Sequence, residues 1–237
     1  MIMRMILVGA AGKMGNEVTA ACKNTGDEIV AKVDTAPGYV ENISDYCGKA
    51  DVIIDFSSPT VAESVMNYAV KTKTPVVIAT TGQDERQKRT IVKAAKTIPV
   101  FYSANLSLGI AVLVECVKNA LKVFPQAQIE IEETHHAEKT DCPSGTALMI
   151  ASKISEKKPV YARKGRREQG EIGITSLRYG KVFGIHKVIL SCGEQTLTFI
   201  HEALSRAVFA EGALKAARFL LNQRSGVYDI FDLINET

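Results

Sequence analysis

Two adjacent histidines and a nearby lysine form the part of the chain best suited to chemistry. His135 and His136 lie just past a predicted strand, and Lys139 follows three residues after His136. Histidine exchanges protons near neutral pH, and all three side chains can donate to an anion. The segment therefore predicts at least one proton-transfer group within a concentration of positive donors.

A helix start that could bind an anion follows directly. The run Asp-Cys-Pro-Ser-Gly-Thr opens a helix predicted at residues 147–155. We expect the N–H groups of Ser144, Gly145 and Thr146 to point outward there and to form a site for a carboxylate. Together with the histidines and the lysine, these donors would fit a substrate that carries two carboxylates.

Two other interpretations of the histidines stay open. They could be polar surface residues without a role, or they could hold a metal ion with Glu138 or Cys142. Their spacing matches no standard zinc pattern, and a lysine beside them opposes a cation. We therefore predict no metal site.

A glycine-rich turn predicts a dinucleotide site. Residues 8–15 read Val-Gly-Ala-Ala-Gly-Lys-Met-Gly and stand between a predicted strand and a predicted helix. Such glycines permit a tight turn, a close approach of the backbone to a pyrophosphate, and close packing of helix on sheet. The N–H groups at the helix start would hold the phosphates. An ordinary tight turn is the alternative.

An acidic residue stands where a ribose-binding group is expected. Asp34 directly follows the second predicted strand, 19 residues beyond Gly15, and the dinucleotide motif expects an acid at about 20. A carboxylate repels a 2′-phosphate, and Thr35 rather than arginine follows, so the local sequence favours NADH over NADPH. Lys32 could weaken that preference, so both cofactors remain candidates.

Small and hydroxyl-bearing residues follow two later strands. Residues 79–82 read Ala-Thr-Thr-Gly, and residues 103–107 read Ser-Ala-Asn-Leu-Ser. Ligands of open α/β sheets bind at the carboxyl ends of the strands. These segments would leave room for a nicotinamide and offer hydrogen bonds to its amide, although plain turn chemistry is the alternative.

The elements of the first half alternate between short apolar runs and helical patterns. Strands are predicted at residues 4–8, 28–33, 52–56, 76–79 and 100–102, and helices at residues 14–23, 60–71 and 84–96. The strands are apolar almost throughout, which is typical of strands covered on both faces. The pattern predicts an α/β, Rossmann-like, doubly wound parallel sheet.

The pattern changes after Asn105. Residues 128–133 alternate strictly between apolar side chains and glutamates, which predicts a half-exposed antiparallel strand. Further strands are predicted at residues 174–178, 187–191 and 195–202, and helices at residues 108–123 and 205–221. We therefore predict a second, smaller α+β domain with a mixed, open sheet.

Composition narrows the class of protein. Of 237 residues, 46% are apolar and 23% charged, as in soluble globular proteins. We find no apolar run near the ~18 residues of a membrane span and no signal peptide. The five irregularly spaced cysteines favour reduced cytoplasmic thiols over a disulfide framework. The net charge of +3 is no argument for nucleic acid.

One segment is strongly basic. We interpret residues 157–167 as a solvated, mobile loop, with a lid or an anion-attracting patch as the alternative. Its basic residues are Lys157, Lys158, Arg163, Lys164, Arg166 and Arg167.

The chain resembles the dihydrodipicolinate reductase family of bacterial lysine biosynthesis over essentially its whole length. The most specific part is residues 135–147, which match the family signature almost letter for letter. The resemblance also includes residues 9–15, 51–57, 80–82, 103–105, 193–194, 201–206, 209–210 and 226–229.

The resemblance implies an NAD(P)H-dependent reduction of 4-hydroxy-tetrahydrodipicolinate to tetrahydrodipicolinate. It implies His135 as proton donor and acceptor and Lys139 as proton donor. The implied substrate-binding residues are His136, Ser144, Gly145 and Thr146. The implied cofactor-binding residues are Gly9, Ala10, Ala11, Gly12, Lys13, Met14, Asp34, Ala79, Thr80, Thr81, Ala104, Asn105, Leu106 and Ser107.

The same resemblance implies the domain organisation. Residues 1–107 and 206–237 would form the dinucleotide-binding domain, because the family completes that domain with its C-terminal segment. Residues 108–205 would form the substrate-binding and oligomerisation domain. We expect a cytoplasmic homotetramer that binds a small dicarboxylate.

Three departures from the family pattern stand out. Cys142 replaces the usual alanine, Ile185 stands where an acidic residue is common, and the stretch between Asp34 and Asp51 is shorter than in many members. The alternative functions are a related dehydrogenase acting on another small amino or imino acid, and an NAD-sensing regulator. A sensor would not need the proton-transfer segment.

Overall fold

A computed structural model describes residues 2–161, 163 and 165–236 of the chain. It divides the chain into two units, one made of Met1–Ser107 with Arg206–Thr237 and the other of Leu108–Ser205. The fold class predicted from the sequence is confirmed, because the first unit holds a parallel sheet with helices and the second holds a mixed sheet.

The first unit is built on six parallel strands. They are β1 (Arg4–Val8), β2 (Glu28–Val33), β3 (Val52–Asp55), β4 (Val76–Ile78), β5 (Pro99–Tyr102) and β11 (Gly226–Tyr228). Their spatial order is β11-β5-β4-β3-β1-β2, and every pairing is parallel. The order reverses between β1 and β3, which is where open α/β sheets bind their ligands.

Five helices accompany this sheet. They are α1 (Lys13–Thr25), α2 (Ala62–Thr72), α3 (Glu85–Ala94), α6 (Ala207–Leu220) and α7 (Ile230–Asn235). Short 3₁₀ turns at Ile43–Asp45 and Pro59–Val61 precede β3 and α2. Local sequence explains several boundaries: Gly26 ends α1 in the left-handed conformation, and Asp84 and Gln87 form a capping box that begins α3.

The core of the first unit explains why its strands are apolar throughout. Ile53 and Val76 are fully buried and belong to one cluster with Met66 of α2 and Ile91 of α3. Phe101 of β5 packs edge-on against Phe219 of α6, with ring centroids 6.1 Å apart. Strands that are covered on both faces need an apolar residue at every position.

A buried ion pair ties the C-terminal segment to the first strands. The Asp27 carboxylate, which is fully buried, accepts hydrogen bonds from the Arg218 guanidinium at 2.6 and 2.7 Å. The Met3 N–H and the Thr25 hydroxyl also donate to Asp27. A buried carboxylate with this set of donors is stable only while its cation remains in place.

Arg218→Met should therefore destabilise the first unit by about 2–3 kcal/mol. Removing one partner of a fully buried pair costs roughly 3–5 kcal/mol, and the effect is reduced here because the Arg218 side chain is 42% exposed. Urea unfolding measures the change. Lys215→Met on the exposed side of the same helix is the control and should change stability by less than about 0.5 kcal/mol.

The second unit is built on a five-stranded mixed sheet. Its strands are β6 (Gln128–His135), β7 (Val160–Tyr161), β8 (Ile172–Arg178), β9 (Ile185–Ser191) and β10 (Thr196–Glu202), in the order β10-β9-β6-β8-β7. The helices α4 (Leu108–Val123) and α5 (Gly145–Ile154) complete the unit. Within the part of the chain that the structure describes, no helix is both long and apolar enough to cross a membrane.

The central strand β6 differs from its prediction in two ways. It pairs antiparallel with β9, as predicted, but parallel with β8, because α5 lies on a crossover connection between parallel strands. It also continues two residues beyond the predicted end, so His135 is its last residue rather than part of the following loop.

The basic segment is only partly a solvated loop. Arg163 forms ion pairs with Glu130 and Glu171 at 2.6 and 2.5 Å, and Arg167 pairs with Glu130 and donates to the Ile129 carbonyl. Both arginines lie in irregular structure, as predicted, but their charges are paired with Glu130 of β6, and that of Arg163 also with Glu171 just before β8. Lys164 lies outside the described residues.

Candidate active site

The glycine turn lies where β1, β2 and β3 end. Gly9 has a φ of 78°, and a Cβ there would lie 2.6 Å from the Phe56 backbone just after β3. A Cβ on Gly15 would lie 2.5 Å from the carbonyl oxygens of Gly9 and Ala10. Both positions therefore admit only glycine, and α1 starts close against the turn.

A buried carboxyl group stabilises the segment on which Gly9 packs. Asp55 is fully buried at the end of β3, and its Oδ1 accepts hydrogen bonds from the Ser57 N–H at 2.9 Å and the Ser57 hydroxyl at 2.5 Å. Burial raises the pKa of Asp55, and the Ser57 hydrogen bonds act in the opposite direction. The turn after β3 is thus held by its own side chains.

Several N–H groups of the turn already have partners. Those of Gly9 and Ala10 donate to the Val33 carbonyl at 2.9 and 3.2 Å, and that of Ala11 donates to the Asp34 carboxylate at 2.9 Å. The donors at the start of α1, beginning with Lys13 and Met14, have no partner inside the helix. An anion at this turn would therefore be held chiefly by the first turn of α1.

Asp34 lies in a cavity of about 300 Å³ at the ends of these strands. Its second oxygen accepts a hydrogen bond from the Ala36 N–H at 3.1 Å. Glu41 also lines the cavity, so two carboxylates face the same space. Carboxylates accept hydrogen bonds from ribose hydroxyls and repel a phosphate.

The other predicted nucleotide segments lie at the same edge of the sheet. Residues 79–81 directly follow β4, and residues 104–107 follow β5. The Ser107 N–H donates to the Asn105 side chain at 2.6 Å, and the Ser103 hydroxyl donates to the Asn105 carbonyl at 2.7 Å. The first unit therefore brings together all the residues predicted to bind a cofactor.

The predicted proton-transfer residues lie in the second unit. His135 is buried at the end of β6, and His136 follows it half-buried. The Lys139 ammonium forms an ion pair with Asp141 at 2.8 Å and is about one-quarter exposed. Burial acts to raise the pKa of Asp141, but the Lys139 hydrogen bond and charge hold it below its usual value.

The start of α5 corrects one prediction. The Ser144 N–H does not point outward but donates to the Glu133 carboxylate at 3.1 Å, while the Ser144 hydroxyl accepts from the Ala147 N–H and caps the helix. A backbone hydrogen bond from Gly145 lowers the pKa of Asp141. The carboxylate of Asp141 thus lies at the N–H of Gly145, where we expected a bound anion.

Sequence reasoning missed three residues of a buried polar group, here called the Glu133 cluster. Its members are Glu133, His135, Ser144, Arg178 and His186. Glu133 Oε2 lies 2.5 Å from His135 Nδ1, and the Arg178 guanidinium donates to both Glu133 oxygens at 2.6 and 3.0 Å. His186 Nε2 lies 3.2 Å from the Ser144 hydroxyl, and its ring packs edge-on against His135 at 5.2 Å.

The electrostatics of the Glu133 cluster follow from burial and pairing. Burial acts to raise the pKa of Glu133, but hydrogen bonds from His135, Arg178 and Ser176 lower it well below its ordinary range. Burial, reinforced by the charge of His135, lowers the pKa of His186 to about 3. Glu133 is therefore an anion and His186 is neutral near neutral pH.

The same residues have the geometry of a possible metal site. Glu133, His135 and His186 offer ligand atoms within 4.8 Å of one another. Arg178 already donates to both oxygens of Glu133, and His135 Nδ1 occupies one of them. A guanidinium in that position opposes a second cation, so a hydrogen-bonded cluster explains these residues better than a metal ion.

A signal for Glu133 was present in the strand pattern. The alternation that buries Ile129 and Ile131 places Glu133 and His135 on the same face. A glutamate on a buried face requires a cationic or hydrogen-bonding partner. The partner could not be named from the sequence, since Arg178 pairs with His135 across β6 and β8 from 43 residues away.

Comparison with known proteins assigns both units to one family. Residues 3–106 match the family model described as dihydrodipicolinate reductase, N-terminus, and residues 109–234 match the one described as dihydrodipicolinate reductase, C-terminus. The chain belongs to the dihydrodipicolinate reductase family. The family resemblance seen in the sequence is confirmed, and with it the assignment to the NAD(P)H-using oxidoreductases.

Curated relatives of the dihydrodipicolinate reductase family align over the full length. A 4-hydroxy-tetrahydrodipicolinate reductase of Caldanaerobacter subterraneus subsp. tengcongensis is 44% identical, with 100% of both chains covered. One of Rickettsia akari is 41% identical over 97% of this chain and 95% of its own. The two alignments therefore include nearly all of this chain and of each relative.

A solved structure of the dihydrodipicolinate reductase family has the same fold. Dipicolinate-bound dihydrodipicolinate reductase from Paenisporosarcina sp. TG-14 superimposes with a TM-score of 0.77 at 22% identity, covering 98% of this chain and 99% of that one. At that identity the likeness establishes the architecture alone. Cys142, which stands where the family signature usually has alanine, is exposed and forms no disulfide.

Proposed function

We propose that this chain catalyses the NAD(P)H-dependent reduction of 4-hydroxy-tetrahydrodipicolinate to tetrahydrodipicolinate, on the route to diaminopimelate and lysine. The observation that carries the proposal is the full-length match, at 44% identity, to a curated reductase of that name. Loss of water from the substrate leaves a double bond, and addition of a hydride and a proton to it completes the reaction. Bound NAD(P)H supplies the hydride.

We propose that a substrate carboxylate is held at the start of α5. The N–H groups of Gly145 and Thr146, with His136 and Lys139, are the donors of this subsite, and Ser144 supports it by capping the helix. A relative of the same fold is described as dipicolinate-bound, and dipicolinate is a planar dicarboxylate. Binding would exchange the Asp141 carboxylate for the carboxylate of the substrate.

We propose that Lys139 is the proton donor and that His135 donates and accepts protons beside it. An ammonium group is a suitable acid for the second carbon of the double bond, on which negative charge develops once a hydride has added to the first. Lys139 is partly exposed, so its ammonium can leave Asp141 and reach a ligand. His135 is buried, with Nδ1 engaged by Glu133.

The cofactor is proposed to bind the first unit through the residues predicted from the sequence. The first turn of α1 would hold the pyrophosphate, and residues 79–81 and 104–107 would accommodate the nicotinamide. Asp34 and Glu41 would accept hydrogen bonds from the adenosine ribose. Two carboxylates in one cavity support a preference for NADH over NADPH.

We propose that the chain works as a cytoplasmic homotetramer. Five cysteines without disulfides suit a reducing compartment. The second unit exposes the large apolar side chains Ile200 and Leu177 on its sheet strands. Exposed apolar side chains on a sheet favour association with another copy.

The test is a coupled assay at ~340 nm. Purified protein is mixed with NADH or NADPH, and the substrate is made in situ from pyruvate and aspartate semialdehyde by the preceding synthase. We expect substrate-dependent oxidation that is faster with NADH. Cofactor binding without oxidation would contradict the reductase function, and equal or faster rates with NADPH would contradict only the preference.

A further inference from the structure

Among the described residues of the second unit, Glu133 is the most completely buried charge, and its two oxygens have different partners. One oxygen lies 2.5 Å from His135 Nδ1, while the guanidinium of Arg178 and the N–H of Ser144 donate to the other at 2.6 and 3.1 Å. None of the proposed substrate contacts involves Glu133. A buried carboxylate is costly, so its position against a proton-transfer histidine calls for a functional explanation.

We propose that Glu133 is the positioning residue of His135: its carboxylate keeps a proton on Nδ1, leaves Nε2 as the working nitrogen, and stabilises the cation formed when Nε2 takes up a proton. This rests on the proposed function, because it assumes that His135 moves protons. A hydrogen bond at one ring nitrogen of a histidine decides which nitrogen remains available for chemistry.

The surroundings of the other ring nitrogen agree with this assignment. His135 Nε2 faces Gly184, where a Cβ would lie only 3.1 Å from that nitrogen. Because residue 184, just before β9, is a glycine, no side chain at that position covers Nε2. A working nitrogen needs such space, whereas a histidine with a purely structural role would be packed on both sides.

His186 is placed so that it does not compete for the proton. Its ring packs edge-on against His135, and its pKa is lowered to about 3 because of burial and the charge of His135. It therefore stays neutral near neutral pH. A proton that enters the Glu133 cluster therefore resides on His135.

Arg178 opposes the effect of Glu133 on His135. Its guanidinium lies against both carboxylate oxygens, so it fixes their orientation and offsets part of their charge. The remaining charged groups near the cluster are Lys139 and Asp141 in the following loop and His201, opposite His186 on β10. The first two form an ion pair with each other, whereas Glu133 and Arg178 are hydrogen-bonded within the cluster itself.

The test measures the titration of His135 by ¹⁵N NMR in Glu133→Gln, with Glu132→Gln as a matched control on the same strand. Glu132 faces the other side and pairs with Lys187 at 3.0 Å. In the intact chain we expect the proton on Nδ1. In Glu133→Gln we expect the pKa of His135 to fall, because the neighbouring negative charge is lost. We expect kcat to fall roughly 10²-fold, the lower end for positioned proton transfer, with KM nearly unchanged.

Arg178→Gln should move the pKa of His135 in the opposite direction, because the carboxylate then acts on the histidine without an offset. General damage to the fold would not produce shifts of opposite sign. If Glu133→Gln does not fold, Arg178→Gln decides alone, and an unchanged His135 titration in that variant overturns the proposal. So does an unchanged titration in folded Glu133→Gln.

The NMR measurement needs no turnover, so the two proposals fail separately. Absence of reductase activity in the intact chain would contradict the proposed function even if His135 titrates as expected. Normal activity of the intact chain, together with a pKa of His135 that is unchanged in Glu133→Gln, would contradict the positioning role alone. Glu132→Gln should leave the pKa of His135 and kcat as they are in the unchanged chain.

Discussion

Lys139→Ala should lower kcat by about 10²- to 10⁴-fold, the contribution expected of a positioned general acid. The ammonium of Lys139 is held at 2.8 Å from Asp141 and is about one-quarter exposed, so its loss leaves the surrounding fold intact. KM should also rise, because the same charge contributes to carboxylate binding. Steady-state kinetics with NADH and substrate made in situ measures both constants.

Two further variants separate proton donation from charge. Lys139→Arg keeps the positive charge but cannot release a proton near neutral pH, so it should restore KM and leave kcat low. Lys118→Ala is the control, since Lys118 is also ion-paired at 2.8 Å, with Glu115, and is one-third exposed. Full turnover in Lys139→Ala would show that another group is the acid.

Gly212→Ala should destabilise the first unit by about 2 kcal/mol and raise KM for the cofactor. A Cβ on Gly212 would overlap the carbonyl oxygen of Leu106, in a segment proposed to bind the nicotinamide. Overpacking against a backbone atom costs about 3 kcal/mol, while alanine regains about 1 kcal/mol of helix propensity. The residual strain must be relieved by movement of α6 or of residues 104–107.

Gly165→Ala is the matched control for Gly212. It lies in an exposed segment where a Cβ would find no atom within 4 Å, so urea unfolding and cofactor KM should both remain unchanged. If Gly212→Ala unfolds at the same urea concentration as the unchanged chain, the close contact between α6 and Leu106 is not a constraint on this fold.

Patterns within a few residues were sufficient to predict much of the fold. The helix Leu108–Val123 has the predicted bounds, and so do β1 and β2. Their apolar periodicity extends over whole elements and needs no distant partner. The strands β7 and β11 and the helix α7 were not predicted, because two or three residues of extended chain and six of helix carry too little periodicity.

Features that depend on distant pairing could not be predicted from the sequence. Asp27 and Arg218 lie 191 residues apart, and Glu133 and Arg178 lie 45 apart. A charged residue considered alone is expected to be exposed to solvent, so its burial can be predicted only when its partner is known. The outward direction of the Ser144 N–H was mispredicted for the same reason, since Glu133 comes from another element.

The discontinuity of the first unit has a consequence for the order in which a ribosome can complete it. Between Tyr102 of β5 and Gly226 of β11, the nascent chain must grow by 124 residues, which takes roughly 6–25 s at ~5–20 residues per second. Throughout that interval β5 is an unpaired sheet edge, and Asp27 awaits Arg218. Such edges template pairing between chains. The first unit is therefore started first and completed last. In the interval before its last strand is added, the growing chain is most exposed to aggregation with other chains.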